Sequence, residues 1–313
     1  MKPPGVSVAD LRGKTITLEK PANRIVCLIE SALSGLYMLG AGQRVVGVST
    51  SAYQEGTVNY YQRLDSRIRD KTLPTPGNWD FINIEKVIAL KPDLVIIWAH
   101  QEEAIRALEE RGVPVFGVFI KSFDDVFEEM RALGVLTGTE ARASALVEYT
   151  RNELRLLGEK ISAKSKPVSV YFMWSQGELE TSGRPSTVQE LITLAGGENV
   201  AGSIDQEHVV VNIEKILKWD PEVIVMWPNA RRGPSDIVSN PVWKNVEAVR
   251  NSRVYQLPDM FSCDLWTLKY QFAVRLMAKW LYPDLFQGVD PDADRAEVFD
   301  ELYSASIAVS HNQ

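Results

Sequence analysis

The most constraining feature of this sequence is a long internal repeat. Residues 83–98 read NIEKVIALKPDLVIIW and residues 212–227 read NIEKILKWDPEVIVMW, and the two stretches align without a gap. Each combines a helical stretch, a proline that ends the helix, and a continuous apolar run typical of a strand buried on both faces. Two copies so far apart in the chain indicate two similar lobes rather than a solenoid of short repeats.

The start of each copy predicts the same helix cap. Asn83 and Asn212 can offer a side-chain oxygen to the open amides of the first helical turn. Glu85 and Glu214 follow within that turn, where the helix dipole favours an anion. Each copy therefore predicts a capped helix, a tight turn and a parallel strand.

Length and charge narrow the class of protein. A chain of 313 residues suits two domains that each bury a core. The formal net charge of −7 argues against a general surface for nucleic acid or an anionic membrane. The two cysteines, Cys27 and Cys263, make neither a zinc pattern nor a disulfide framework. No apolar run has the roughly 18–20 residues that span a bilayer, and the first residues, MKPPGVSVADLRGK, contain no apolar signal core.

Around the repeat, strand and helix patterns alternate along the chain. Such alternation predicts an α/β fold with two similar lobes, each a mostly parallel sheet flanked by helices. One amphipathic helix pattern in the middle is long enough to span about 33 Å at 1.5 Å per residue. We therefore predict an N-terminal lobe at 1–137, a single long linker helix at 138–164, and a C-terminal lobe with a C-terminal tail at 165–313.

Several local features are also predicted. Ser31 and Asp264 stand where they could cap the helices that follow them. Residues 50–79 are rich in polar, aromatic and proline residues, which is typical of an irregular functional segment. The acidic tail that begins at residue 287 is expected to pack loosely.

Candidate binding residues follow from the topology, because parallel sheets bind ligands beyond the carboxyl ends of their strands. If the two lobes face each other, the loops at these ends line one cleft. The residues expected there are Glu30, Ser31, Tyr53, Trp79, His100, Trp174, Ser175, Arg184, His208, Asn229, Arg231, Phe261 and Trp266. The aromatic members and the histidines suit a large flat or chelated ligand, and Arg184 suits an anionic group.

Motifs for common enzyme chemistries are missing from the sequence. Gly40-Ala41-Gly42 lies at a helix end rather than at a helix start, so it does not predict a phosphate loop. There is no Gly-x-Ser-x-Gly elbow and no His-x-x-x-His pair for a metal. These absences favour a binding protein, although they leave the ligand open.

Several stretches resemble one known family. They are VSVADLRGKTITLEKPANRIVCL, GLYMLGAGQRVVGVS, both copies of the repeat, LAGGENVAG and NPVWKNVEAVRNSRVYQLP. Over residues 6–286 the chain is similar to solute-binding proteins of ABC importers, of the type with two lobes joined by one long helix. The resemblance implies a cargo such as a ferric siderophore, haem, cobalamin or, in some members, an oxyanion such as molybdate.

The resemblance also implies partners and a location. Glu85 and Glu214 match the glutamates with which such proteins dock to arginines of the membrane permease. It further implies a monomer without enzymatic activity, nucleic-acid partner or cofactor, whose bound cargo contains iron, cobalt or molybdenum. The expected location is the periplasm or the extracellular face of the membrane, with or without a lipid anchor. A single linker helix implies only a small change between open and closed forms.

Three ligand classes and one enzyme class remain as alternatives. A ferric chelate or corrinoid would use the aromatic residues, whereas a bare oxyanion such as molybdate or tungstate would use Ser31, Ser175, Ser262 and Arg184. A directly coordinated metal would need several acidic or histidine ligands, which are sparse here. A two-lobed tetrapyrrole or metal-chelatase-like enzyme would place His100 or His208 with Glu30 beside a bound ring.

Overall fold

The chain divides into two compact units. The computed structural model describes residues 5–162, 166–228 and 232–304. Within these, the first unit comprises residues 5–149, 266–268 and 296–304, and the second comprises the remaining residues between 150 and 295. Each unit contains a four-stranded parallel sheet with helices around it. The predicted α/β fold class is confirmed.

The first unit is built on a sheet with the strand order β4-β3-β5-β6, preceded by an antiparallel β1–β2 hairpin. Its strands are β1 (Val6–Ala9), β2 (Thr15–Leu18), β3 (Ile25–Cys27), β4 (Val45–Val48), β5 (Leu94–Trp98) and β6 (Val115–Val118). Its helices are α1 (Glu30–Met38), α2 (Val58–Leu64), α3 (Ser66–Arg69), α4 (Ile84–Ala89), α5 (Glu102–Glu109), α6 (Phe123–Thr137) and the first part of α7 (Glu140–Ile161). Since the central pairs are parallel, the loops after β3, β4, β5 and β6 lie at one edge of the sheet.

The second unit repeats this plan with the strand order β12-β11-β7-β9 and a short β8–β10 ribbon. Its strands are β7 (Val168–Met173), β8 (Glu180–Thr181), β9 (Gly197–Asn199), β10 (Val209–Val210), β11 (Val223–Met226) and β12 (Val254–Gln256). Its helices are the second part of α7, then α8 (Thr187–Leu194), α9 (Ile213–Trp219), α10 (Pro234–Ser239), α11 (Glu247–Arg250), α12 (Tyr270–Leu281) and the start of α13 (Pro291–Tyr303). The four strands of this sheet are also parallel.

The repeat folds in the same way in both units. The Asn83 and Asn212 side chains each accept a hydrogen bond, 2.9 Å long, from the backbone N–H of the lysine three residues later. The predicted caps of α4 and α9 are therefore confirmed. In both copies the residue before the proline adopts a left-handed conformation, with φ of 49° at Lys91 and 43° at Asp220. This bend turns each chain directly from helix into strand.

A second equivalence lies at the start of the central strands. The Asp93 carboxylate accepts hydrogen bonds from the backbone N–H groups of Asn23 and Arg24, just before β3. The Glu222 carboxylate accepts one from the N–H of Ser169 at the start of β7. In both units, therefore, the acidic residue after the repeat proline holds the neighbouring strand in register.

The cores of the two units use equivalent positions. The apolar core of the first unit contains Val26, Val87, Val95, Ile97, Ile105 and Leu108. That of the second contains Tyr171, Met173, Ile216, Ile224, Met226 and Trp243. Strands β5 and β11 are buried along their apolar runs, as their composition predicts.

Three local predictions are wrong. Helix α1 begins at Glu30 with no side-chain cap, and Ser31 lies inside it. Residues 50–79 contain α2 and α3 as well as irregular turns. The last long helix begins at Tyr270 with Lys269 at its N-cap, so Asp264 does not cap it. Each error arises because tertiary packing overrides a local capping or composition signal.

The end of the chain also differs from the prediction. The expected loose tail forms α13, in which Phe299 and Leu302 are fully buried. Phe299 packs edge-on against Tyr60, with 6.2 Å between the ring centroids. Residues 296–304 therefore belong to the first unit, whereas we predicted all of 165–313 in the second lobe.

Candidate functional site

A large groove lies at the carboxyl edge of the first sheet. It has a volume of about 840 Å³ and is lined by residues of the 79–84 segment and by the start of α5. Two predicted ligand residues, Trp79 and His100, both line it, and Phe81 stands beside them. Trp79 is 65% exposed and Phe81 is 63% exposed, so both rings present open apolar surface. This surface is hereafter called the aromatic groove.

The backbone that carries these rings is firmly held. The Asn78 side chain accepts hydrogen bonds from the N–H groups of Asp80 and Phe81, at 2.8 and 2.9 Å. Gln101 donates from its side-chain amide to the Trp79 carbonyl oxygen at 3.0 Å. A side chain at Gly77 would place its Cβ 2.5 Å from the Phe81 carbonyl oxygen, so only glycine fits there. The exposed rings thus stand on a fixed turn, which reduces the entropy lost on binding.

The polar lining of the aromatic groove is acidic. Asp80, Glu102 and Glu103 line it, and none of its described lining residues is Lys or Arg. His100 stacks on Trp98, with 6.3 Å between the ring centroids and 22° between their planes. Such a surface favours a ligand with an apolar, neutral or cationic face over an anion.

Glu30 and Ser31 lie where β3 turns into α1. The Tyr61 hydroxyl donates to the Glu30 carboxylate at 2.7 Å and lies 3.0 Å from the Glu30 carbonyl oxygen. Burial, and then the nearby Glu30 charge, raises the pKa of Tyr61 well above its usual value. The Ser31 hydroxyl is buried and has no hydrogen-bond partner among the described residues. This hydroxyl is a polar group that a ligand could satisfy.

Tyr53, also predicted as a ligand residue, contacts the protein itself. Its hydroxyl donates to the Leu73 carbonyl oxygen at 3.0 Å, and burial raises its pKa. Sequence reasoning missed Phe119, which follows β6 and is 46% exposed. Lys121 lies over that ring, with Nζ 4.6 Å from the centroid. The signal was present, since Phe119 is the first residue after a buried strand at the binding edge.

The second unit has a smaller pocket at the carboxyl end of β7. It has a volume of about 330 Å³ and is lined by the predicted residues Trp174 and Ser175, and by Glu178 and Arg232 among others. The Trp174 indole donates to the Ser182 hydroxyl at 2.8 Å. Its ring lies 5.0 Å from that of Trp227. Trp174 is therefore held in place on two sides.

Glu178 organises the polar side of this pocket and was not predicted. Its carboxylate accepts a hydrogen bond from the Trp243 indole at 2.7 Å and forms a salt bridge with Arg232. Its carbonyl oxygen accepts from the Tyr171 hydroxyl at 2.9 Å. No local pattern marks Glu178, because the two partners of its carboxylate, Arg232 and Trp243, lie 54 and 65 residues away in the chain.

The other predicted residues of the second unit have partners or lie outside the described residues. His208 contacts the Glu180 carboxylate at 2.5 Å, and Arg184 pairs with Asp205 at 2.9 Å on an exposed surface. Phe261 is buried, with the Lys269 amine 3.5 Å from its ring centroid. Asn229 and Arg231 lie outside the described residues. Trp266 is half-buried and belongs to the first unit.

Residues 25–260 match the sequence profile of the periplasmic binding protein family. This match spans most of the chain and both copies of the repeat. The chain belongs to the periplasmic binding protein family. It is a substrate-binding protein of the kind that serves ABC transporters, as the resemblance predicted.

Individual relatives of this binding protein agree with the family match. An uncharacterized ABC transporter substrate-binding lipoprotein, YvrC of Bacillus subtilis, is 28% identical over 90% of this chain and 87% of its own length. A vitamin B12-binding protein of Vibrio parahaemolyticus is 24% identical over 76% of this chain and 82% of its own length. The molybdate-bound structure of MolA from Haemophilus influenzae superposes with a TM-score of 0.81 at 23% identity, over 96% of this chain and 98% of that one. These relatives are binding proteins rather than enzymes.

Binding proteins of ABC transporters deliver their ligand to a membrane permease. In this binding protein Glu85 and Glu214 lie in the first turns of α4 and α9, and both are exposed. Neither carboxylate forms an ion pair with another described residue. Two equivalent acidic groups are thus available at matching positions of the two units.

The described residues contain neither a membrane-spanning helix nor a cluster of metal-binding side chains. No helix there is long and apolar enough to cross a membrane. No group of three or more His, Cys, Asp or Glu side chains in the described ranges is arranged to hold a metal ion.

Proposed function

We propose that this protein binds a metal chelate with a broad apolar face, of the ferric siderophore, haem or cobalamin type, and delivers it to an ABC permease. The aromatic groove is the observation that supports this proposal. Its exposed rings, Trp79 and Phe81, offer flat apolar surface on a fixed turn. Burying one such ring under a ligand contributes about 1.5–3 kcal/mol.

The acidic lining further limits the class of chelate that this groove can bind. Asp80, Glu102 and Glu103 repel an anionic ligand, and they are uncompensated by any basic residue in the described lining. We therefore favour a chelate that is neutral or cationic where it meets this groove. A corrinoid or a neutral ferric hydroxamate fits better than a ferric catecholate with several negative charges.

An oxyanion such as molybdate or tungstate is the second candidate. One observation favours it, namely that the buried Ser31 hydroxyl near the start of α1 has no hydrogen-bond partner in the part of the chain that the structure describes. The relationship to MolA, the molybdate-binding protein of Haemophilus influenzae, supports it too. Against it stands the Glu30 carboxylate in the same helical turn, which would repel an oxyanion.

In the proposed cycle the protein carries out no chemistry and needs no cofactor of its own. Any iron, cobalt or molybdenum belongs to the cargo. Glu85 and Glu214 dock with basic residues of the permease, one from each unit. We propose that the protein works outside the cytoplasmic membrane, in the periplasm or held at the membrane surface by a lipid anchor. The Bacillus relative, which is a lipoprotein, supports the second possibility.

A binding panel tests the ligand class. Purified protein is titrated by calorimetry and thermal shift with cyanocobalamin, haem, ferrichrome, ferric enterobactin, molybdate and nickel chloride. A ligand at 100 times its Kd stabilises the fold by about 2.7 kcal/mol. We expect a shift with cyanocobalamin, haem or ferrichrome, and a weaker one or none with the anionic ferric enterobactin. A shift with molybdate alone would replace the chelate proposal by the oxyanion one.

A further inference from the structure

A chain of buried hydroxyl groups leads from the C-terminal helix to Glu30. The Tyr303 hydroxyl is hydrogen bonded to Ser34, and Ser34 is hydrogen bonded to the Tyr61 hydroxyl. The Tyr61 hydroxyl in turn donates to the Glu30 carboxylate at 2.7 Å. Glu30 and Ser34 lie one turn apart on the same face of α1, so one tyrosine can contact both. We call these four residues the hydroxyl relay.

The far end of the relay is firmly anchored. Phe299 and Tyr303 pack together, with 6.1 Å between their ring centroids. Arg142 donates to the carbonyl oxygens of Glu301 and Leu302 at the end of α13, at 2.5 and 3.1 Å. These contacts satisfy open carbonyl groups of the helix terminus with a cation, which the helix dipole favours. Tyr303 is thus held on the first unit independently of the relay.

The relay has one hydrogen-bond direction that satisfies all its members. Tyr303 donates to Ser34, Ser34 donates to Tyr61, and Tyr61 donates to the Glu30 carboxylate. Ser34, Tyr61 and Tyr303 are buried, so water does not compete for the two bonds that join them. In such surroundings consecutive hydrogen bonds polarise and strengthen one another.

We propose that Tyr303 is a positioning residue for ligand binding, because it fixes the Glu30 carboxylate at the binding edge of the first sheet through Ser34 and Tyr61. The C-terminal helix, distant in sequence, then sets the orientation of a group beside the ligand. Glu30 half-emerges at this edge, and its remaining carboxylate capacity can accept a hydrogen bond from the cargo. Only the ligand part of this inference rests on the proposed function.

The test has one arm without ligand and one arm with it. In the first, protein labelled with ¹³C at the glutamate side-chain carboxyl is studied by NMR, and the Glu30 resonance is assigned by its loss in E30Q. We expect Y303F and S34A to move this resonance in the same direction as Y61F does. The matched control is Y282F, which removes a buried tyrosine hydroxyl bonded to the Gly196 carbonyl in the second unit. It should leave the Glu30 resonance unchanged.

The second arm measures cyanocobalamin affinity in a double-mutant cycle. Y303F should weaken binding about three- to tenfold, the effect of one hydrogen bond, and should have no such effect when Glu30 is already Gln. An equal loss in both backgrounds would indicate a merely structural role and overturn the proposal. So would a Glu30 resonance that does not move in Y303F. If wild-type protein does not bind cyanocobalamin, the proposed ligand is wrong. The NMR arm alone then decides whether Tyr303 positions Glu30.

Discussion

The two sheets present very different binding edges on the same backbone plan. In the first unit Trp79 and Phe81 stand largely exposed above an acidic groove. In the second, Trp174 is bonded to Ser182, and the pocket glutamate, Glu178, is bonded to an indole and a guanidinium. One edge offers open apolar area, whereas the other offers polar groups that already satisfy one another.

This difference shows that the two copies of the repeat share their backbone geometry, whereas the side chains at the two binding edges differ in chemistry. Asn83 and Asn212 cap their helices identically, and Asp93 and Glu222 hold equivalent strands. Among the described residues, the loops beyond the strands have no such equivalent contacts in the two units. We infer that the aromatic groove of the first unit offers most of the contact area for a ligand, because its rings are open, whereas the polar groups of the second unit's pocket already bond to one another.

The largest effect is expected where the two units are equivalent. Reversing one docking charge, in E85R or E214R, should lower ligand uptake by cells strongly, and the double variant should abolish it. If Glu85 and Glu214 dock as proposed, each single variant removes one of two contacts with a basic permease surface and adds a repulsion. Uptake of radiolabelled ligand measures this, with ligand affinity measured separately and expected to be unchanged.

A matched control is E148R, which reverses an exposed glutamate on α7. It should leave uptake at the wild-type level. Normal uptake by the double variant would show that the shared position of Glu85 and Glu214 reflects only the helix dipole.

An intermediate effect should separate the two edges. W79A should weaken ligand binding about 30-fold, as expected for a central aromatic contact worth about 2 kcal/mol. Its melting temperature should barely change, because Trp79 is 65% exposed. Calorimetric titration with the ligand identified by the panel measures the first quantity, and thermal unfolding the second.

The counterpart in the second unit is W174F, which keeps a ring but removes the indole N–H. It should destabilise the protein by about 1 kcal/mol, since the Ser182 hydroxyl loses its donor, and should affect binding less than W79A. If W174F costs more affinity than W79A, the assignment of contact area to the first unit is wrong.

The smallest effect tests how closely the copies match. N83A and N212A should each lower the free energy of unfolding by about 1 kcal/mol, because each removes one N-cap hydrogen bond. Chemical denaturation gives these values, and N83D and N212D should restore most of the loss. Costs that differ by more than twofold would show that the helices contribute unequally despite their identical caps.

Much of the fold could be predicted from the sequence, because its signals are local. Periodicity predicts the central strands. Asn83 and Asn212 mark helix starts because each side chain bonds to a backbone N–H in the turn that follows it. The caps expected from Ser31 and Asp264 failed because helix limits there depend on packing rather than on the residue itself. The burial of α13 was missed because its partners, such as Tyr60, lie far away in the chain.

The candidate site was predictable only in part, for the same reason. Topology alone placed Trp79 and His100 at one edge, and the structure brings both to one groove. The sequence did not reveal that His208 pairs with Glu180, or that the Glu178 carboxylate bonds to side chains of the second unit's pocket. Those pairings depend on how separate segments pack together, which residue type and spacing do not predict.

Neither unit is a single continuous segment of the chain, since the chain crosses between them inside α7, on either side of residues 266–268, and inside α13. A ribosome therefore finishes the second unit's sheet before it releases Phe299 and Tyr303, the aromatic residues that cover α1 and α2 of the first. The half that is synthesised first is completed last. Premature termination near residue 290 would spare all the strands that the structure describes and still leave the protein's N-terminal half with an uncovered apolar surface.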